Sequence, residues 1–274
     1  MSARARDAAA SPRGDAAAPP RRAARRRARH SAAPLVVTAA LLALWELVVR
    51  AGWVDSLLLP APTQVARSLW DDRSLLAPDL LVTTWEVVVG LVAALVLGAA
   101  LAVAMHMVAW IDRALRPLVV GSQAVPIPVI APLIVLILGF GLAPKILIIA
   151  LICFFPVTIA IADGLRDSDA DARKLLRALD ATRWQRLRFL DAPSALPSAF
   201  TGMKVAAAIA VIGAVLAEWS GSDAGLGHLL ITANGQLETA RAFAATALLM
   251  AEAVGLYVLF AWLERRVVTW GPRA

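Results

Sequence analysis

The sequence predicts an all-α, polytopic membrane protein with about six transmembrane helices. Three observations carry that prediction. Of the 274 residues, 60% are hydrophobic and mean hydropathy is +0.72, whereas soluble domains run at about 45–50% apolar. The apolar residues also come in runs long enough for the roughly 20-residue helix that crosses a bilayer. Between Leu80 and Val108 the only charged residue is Glu86 and the only other ionisable one is His106; between Ile146 and Ala162 there is no charge. Finally, lysine and arginine are distributed unevenly between the segments that join these runs.

Residues 1–33 hold nine arginines, Arg4 to Arg29, against Asp7 and Asp15, with many Ala and Pro and almost no large apolar side chains. This composition predicts a disordered basic tail. Its role is to hold the N-terminus in the cytoplasm or to bind anionic lipid headgroups. A cleaved signal peptide fits poorly, because the arginine tail is long and no small-residue cleavage site follows Leu35–Val49.

Residues 34–274 read as one transmembrane domain, with spans at Leu35–Val49, Leu80–Val108, Val119–Leu138, Ile146–Ile161, Ser198–Trp219 and Phe243–Leu263. The second is long enough to tilt or to project beyond the bilayer. The third contains Pro126, Pro128 and Pro132, so it must kink or partly unwind. With the N-terminus inside, one side receives the tail, Arg113, Arg116, the cluster Arg166 to Arg188, Lys204, Arg265, Arg266 and Arg273. That side carries 22 cations; the other holds Arg50, Arg67, Arg73, Lys145 and Arg241, only five. Cytoplasmic segments are enriched in Lys and Arg, so both termini are expected in the cytoplasm. Without the tail the count is still 13 against five.

The net charge of +7 does not point to nucleic acid, because the cations follow membrane sidedness. Cys153 is the only cysteine and lies in an apolar run, so it reads as a packing residue. His30, His106 and His228 lack ligand spacing, and no metal site is expected. No Gly-x-x-x-x-Gly-Lys-Ser/Thr run exists to cradle a nucleotide phosphate, and no nucleophile–base set or HExxH pair suggests catalysis. The chain is expected to be no enzyme and to bind no cofactor.

Two segments do not span. On the outer side, Ala51–Asp79 contains Leu59-Pro60-Ala61-Pro62; Thr63 is then expected to cap a short amphipathic helix, Gln64–Trp70, lying along the interface. On the inner side, Asp171–Leu190 reads DARKLLRALDATRWQRLRFL. Leu175, Leu176 and Leu179 share one helical face, and Trp184, Leu187, Phe189 and Leu190 form a second apolar stripe. Between them Asp180, Ala181 and Thr182 can end one helix and cap the next. Residues alone leave two readings of this two-helix knob: an amphipathic connector on headgroups, or a docking surface.

The knob resembles the EAA loop of binding-protein-dependent ABC importer permeases. Lys174-Leu175-Leu176 takes the place of Glu-Ala-Ala, Asp180 that of the following glycine, and Ala192-Pro193 that of the final Leu-Pro. The glycine position often needs left-handed backbone, which Asp tolerates. The resemblance extends through WELVVRAGWVDSLLLPAPTQVARSLW (Trp45–Trp70), TTWEVVVGLVAALVLGAALA (Thr83–Ala102), SQAVPIPVIAPLIVLILGFGLAPKI (Ser122–Ile146) and IGAVLAEWSGSDAGLGHLL (Ile212–Leu230), all similar to the nitrate/sulfonate/taurine branch. It implies a type I ABC importer permease fold in the bacterial plasma membrane, with the coupling loop at about residues 165–197. It also implies a second permease copy, two ATP-binding subunits that hold the ATP-Mg, and an extracytoplasmic solute-binding protein. Lys174, Leu175, Leu179, Asp180, Ala181, Thr182, Arg183, Trp184 and Pro193 would then couple this chain to the ATPases.

Polar groups kept inside a bilayer are functional suspects. Gln123, beside Pro126 and Pro128, either lines the pathway or packs between helices, and unwound backbone there is tolerated only where buried or facing a cavity. Glu218 is either part of an outer gate or an interfacial carboxylate, with Asn234 and Gln236 expected near it after a Gly-rich loop. Glu86 and Glu252 each need a partner or water. Glu46 and Arg50 read as an i,i+4 pair, and Lys204 as snorkelling to the cytoplasmic surface.

The intramembrane charges read as carboxylates, with no fixed cation to attract nitrate or a sulfonate. The runs SQAVPIPVIAPLIVLILGFGLAPKI and CFFPVTIAIADGLR look most like the subgroup importing pyrimidine precursors of thiamine. Such a pyrimidine is the expected solute, with riboflavin, taurine and alkanesulfonates as alternatives. The rival from another class is an ion-coupled secondary transporter using Glu86 and Glu252.

Overall fold

Where lipid replaces water, each backbone amide must be satisfied within the chain, and a helix does this alone. The computed structural model, which describes the backbone of residues 21–270 and the side chains of 36–270, has no strand among the described residues. Its helices run in order α1 (Arg21–Arg50), α2 (Pro62–Asp71), α3 (Arg73–Met107), α4 (Ala109–Gly121), α5 (Ile127–Leu138) and α6 (Leu142–Arg166). They continue with α7 (Ala170–Ala178), α8 (Arg183–Arg186), α9 (Ala192–Gly221), α10 (Leu226–Gly235) and α11 (Thr239–Val267).

Among the described residues four helices are long and apolar enough to cross a membrane: α3, α6, α9 with the turns leading into it, and α11. A fifth crossing arises if α4 and α5 count as one bent span. The predicted first span lies within α1, which is outside these, so six crossings do not follow from the helices alone. The first 20 residues of the predicted tail lie outside the described residues. From Arg21 the chain is already helical, where disorder was expected through residue 33. Ala and Arg are strong helix formers, which favours this upstream extension of α1.

The third predicted span is broken. α4 ends in a 3-10 turn at Ser122–Ala124, and the axis swings by 100° before α5 begins at Ile127. Pro126 supplies no amide donor, and Val125 before it is extended, as a residue preceding proline prefers. The short helix α2 starts earlier than expected. Pro62 occupies its first turn, where a missing N–H costs nothing, and Ala61 stands at the cap position, its amide donating to the Gln64 side chain at 2.8 Å. Thr63 is therefore not the cap. Its hydroxyl donates to Glu46 at 2.8 Å, and Glu46 also holds Arg50 at 2.6 Å, tying α1 to α2.

The core forms where α6 packs against α9 and α3. Lipid supplies little hydrophobic drive between helices, so close backbone approach has to hold them together. Gly90, Ala94, Gly98 and Ala102 recur every four residues along α3 and are all buried. A Cβ on Gly98 would come within 2.9 Å of Val157 on α6. On α9, Ala206, Ala210 and Ala214 are fully buried, and a Cβ on Gly202 would stand 2.8 Å from the Pro156 carbonyl oxygen. Lys204, expected to snorkel to the cytoplasmic surface, pairs with Glu264 of α11 at 2.8 Å.

Candidate functional site

The knob is built by local capping. Asp169 accepts from the amides of Asp171 and Ala172 at 2.9 and 2.7 Å and starts α7. At its end the Ala181 amide donates to Leu176 and the Asp180 amide to Arg177, at 2.9 and 3.1 Å, with Asp180 left-handed at φ 55°. This is the Schellman termination that usually takes glycine. Two residues on, Thr182 caps α8: its hydroxyl accepts from the Gln185 amide at 3.3 Å, and the Gln185 side chain accepts from the Thr182 amide at 2.8 Å. A π turn, Leu187–Asp191, leads into α9, whose first turn contains Pro193.

Leu187 is buried and anchors the knob, whereas Leu175, Leu179, Trp184 and Phe189 are each more than 60% exposed. Lys174, Thr182 and Arg183 are also exposed, and Ala181 is half-buried. Of the two expected apolar stripes, Leu175, Leu179, Trp184 and Phe189 are thus exposed, while Leu176 and Leu190 are half-buried. Asp191 and His106, neither singled out as a site, fasten the knob to α3. His106 Nε2 lies 2.9 Å from Asp191, Ser168 donates to Asp191 at 2.5 Å, and Arg173 reaches it at 3.2 Å. His106 had no partner in the sequence because Asp191 lies 85 residues away.

The break between α4 and α5 opens a cavity of about 350 Å³. Ser122, Gln123, Val125, Pro126, Ile127 and Pro128 line one wall, and Ile152, Ile209, Ile212 and Leu216 the other. No charged side chain lines it. Gln123, Pro126 and Pro128 are exposed.

A third polar region lies toward the N-terminal ends of α3 and α6 and the C-terminal end of α9. Glu218 is buried. It accepts from the Thr83 hydroxyl at 2.7 Å and from the amides of Gly227 and His228 at 2.5 and 3.1 Å. Thr83 in turn accepts from the Leu226 amide at 2.8 Å, and Asp79 from the Gly225 amide at 2.9 Å. Together these three side chains satisfy the free amides that open α10. Asn234 sits exposed at the other end of α10, about two turns from the Glu218 carboxylate. The structure therefore does not bring Glu218 and Asn234 together.

Lys145, read as an outer-loop cation, is buried. Its ammonium donates to Glu86 and to the Ser222 hydroxyl, both at 2.6 Å. Lys145, in the first turn of α6, thus supplies the partner that Glu86 was expected to need. Moving Lys145 out of the outer count leaves the arginine asymmetry intact. Glu252 is half-buried on α11. Arg241 of α11 binds Asp72, just before α3, at 3.0 Å, and Ser68 donates to Asp72 at 2.6 Å. The Arg241 hydrogen bond, outweighing partial burial, holds the Asp72 carboxyl below the usual carboxylate range.

Comparison with known proteins gives these arrangements a context. Residues 90–269 match the family described as "Binding-protein-dependent transport system inner membrane component". The riboflavin transport system permease protein RibX of Chloroflexus aurantiacus is 35% identical over 86% of this chain and 88% of its own. The formylaminopyrimidine transport permease protein ThiX of Halalkalibacterium halodurans is 35% identical over 71% of this chain and 78% of its own. Among solved structures, an inward-facing conformation of the MetNI methionine ABC transporter superposes with a TM-score of 0.57 at 19% identity. That superposition covers 78% of this chain and 99% of the other, and shows a shared fold.

Proposed function

From the premise that this chain belongs to the binding-protein-dependent transport system inner membrane components, we propose that it carries a small neutral heterocycle across the bacterial plasma membrane. It is a multi-pass permease subunit of an ABC importer, a transport component and not an enzyme. The solute we infer is a pyrimidine precursor of thiamine or a close chemical relative.

The observation that carries the solute reading is the cavity at the α4–α5 break. Its walls are isoleucine, leucine and proline with the Gln123 amide and Ser122 hydroxyl as polar groups. Such a lining suits a flat heterocycle that buries its faces and hydrogen-bonds at its edge. A sulfonate or nitrate there would lack a counter-charge, and the buried cation Lys145 is already neutralised by Glu86. Two 35%-identical relatives whose names specify heterocyclic solutes support the same choice.

In this reading two copies of the chain enclose the pathway in the surrounding lipid. Gln123, Pro126 and Pro128 line it, and Glu218 with α10 closes its outer end. Both termini and the knob face the cytoplasm, as the arginine asymmetry favours. Two ATP-binding subunits carrying ATP-Mg meet the exposed Leu175, Leu179, Trp184 and Phe189, and a solute-binding protein docks outside.

The test is twofold. Titration of the cognate binding protein should give tight pyrimidine binding; tight sulfonate binding with none of pyrimidine would overturn the solute. In proteoliposomes with its ATPase and binding protein, uptake should require ATP and survive collapse of the ion gradient. Uptake by this chain alone, driven by the gradient, would instead identify a secondary transporter.

A further inference from the structure

Between the knob and the membrane end of α3 lies a recess of about 330 Å³ lined by His106, Met107, Ala109, Arg173, Arg177, Arg183, Arg186 and Asp191. Four guanidinium groups therefore face one small volume with a single carboxylate. That carboxylate is already committed to Ser168, His106 and Arg173. Arg183 donates to the Met107 carbonyl at 3.3 Å, so it crosses from the knob to the end of α3. Arg177 and the half-buried Arg186 have no ion-pair partner among the described residues. Cations are thus gathered in excess of their counter-charges, which makes the recess attract an anion.

The recess also has a defined depth. Its floor is the junction of α3 with α4, where a membrane-crossing helix ends. Trp110, immediately after Ala109, is 67% exposed, and exposed tryptophans collect at the headgroup level. Guanidinium groups present paired N–H donors in a planar fork that matches phosphate oxygens. The apolar knob surface of Leu175, Leu179, Trp184 and Phe189 is separate from this lining.

We propose that this recess binds a phosphate group at the membrane surface, either that of an anionic phospholipid headgroup or free phosphate. Arg177 and Arg186 are its principal ligands, and Arg183 completes the fork. An occupant would bridge the knob to the membrane end of α3 and steady the surface through which movement passes. Its cytoplasmic location rests on the orientation proposed above; the site itself does not.

The test uses the full-length chain in detergent, with native mass spectrometry against phosphatidylglycerol and phosphatidylcholine, and with inorganic phosphate alone. The wild type should retain phosphatidylglycerol over phosphatidylcholine. The double variant R177Q/R186Q should weaken that retention on the order of tenfold or more, as loss of charge-assisted hydrogen bonds implies. The single variant Arg177→Gln, at an exposed position without a partner, should show an intermediate loss and guards against misfolding of the double. The basic tail is common to all three proteins, so it cannot produce the difference. Phosphate binding without lipid, lost in the double variant, identifies free phosphate as the source. Unchanged binding of both probes in the double variant overturns the proposal. So does unchanged probe binding with lost ATPase co-purification, which assigns these arginines to an acidic side chain of that partner.

Discussion

Lys145, in the first turn of α6, reaches across to Glu86 on α3 and places its ammonium 2.6 Å from the carboxylate, with both side chains at least nine-tenths buried. The pair neutralises two charges that neither lipid nor a dry helix interface would accept singly. Breaking it by removing one partner strands the other, at a cost of about 3–5 kcal/mol. Glu86→Gln and Lys145→Met should each lower the melting temperature of the purified protein markedly. The double variant should recover much of the loss, and a double variant as unstable as the sum of the singles would show that the two groups act independently.

Asp180 stands where glycine usually ends a helix, in a left-handed backbone that Asp tolerates and glycine adopts without a Cβ penalty. Asp180→Gly should stabilise the knob by up to about 1 kcal/mol and preserve ATP-driven uptake. Asp180→Val places a β-branched side chain in that conformation and should cost roughly 1–2 kcal/mol locally. The expected readout is a lower ratio of solute moved to ATP hydrolysed in proteoliposomes, with the protein still folded. An unchanged ratio in the valine variant would remove Asp180 from the coupling path.

The Asp72–Arg241 link should make stability fall at acid pH. Because the folded-state carboxyl titrates below the ordinary value of about 3.9, its contribution is complete above that value and disappears as pH falls through the folded value. The link is partly exposed, so it is worth no more than about 1 kcal/mol. Asp72→Asn should melt earlier than wild type at neutral pH. The gap should narrow only below about pH 4, and a constant gap down to pH 2 would exclude Asp72 as its source.

The features read correctly from sequence are those encoded by residues close together. Asp180 and Thr182 announce a helix end and a helix start within three residues, and the structure forms both turns there. Pro126, Pro128 and Pro132 require a break, and it occurs at the first of them. The charge network was legible only in part because its members are far apart in sequence. Lys145 sits at the edge of an apolar run, so counting assigns it to a loop; only the packing of α6 on α3 reveals Glu86, 59 residues away. Glu218 likewise gives no hint that its partners are Thr83, 135 residues earlier, and the amides of a helix that follows it. The Thr63 cap failed because Pro62 fits the first turn better, which frees the threonine for Glu46.

Gly225 should be the least replaceable residue at the end of the bundle where α10 begins. It holds φ at +110°, where only glycine is comfortable, and a Cβ there would overlap the Glu218 carboxyl group. Glu218 in turn serves the first amides of α10, so displacing it leaves buried donors unmet at about 1–3 kcal/mol each. Gly225→Ala should therefore lower the melting temperature more than Thr83→Val, which removes one hydroxyl that donates to Glu218 and accepts from Leu226. The damage should be local. Hydrogen exchange should accelerate in α10, at Leu226–Gly235, while the α6–α9 core remains protected. Wild-type exchange in α10 of the alanine variant would mean that this helix does not depend on the Glu218 carboxylate.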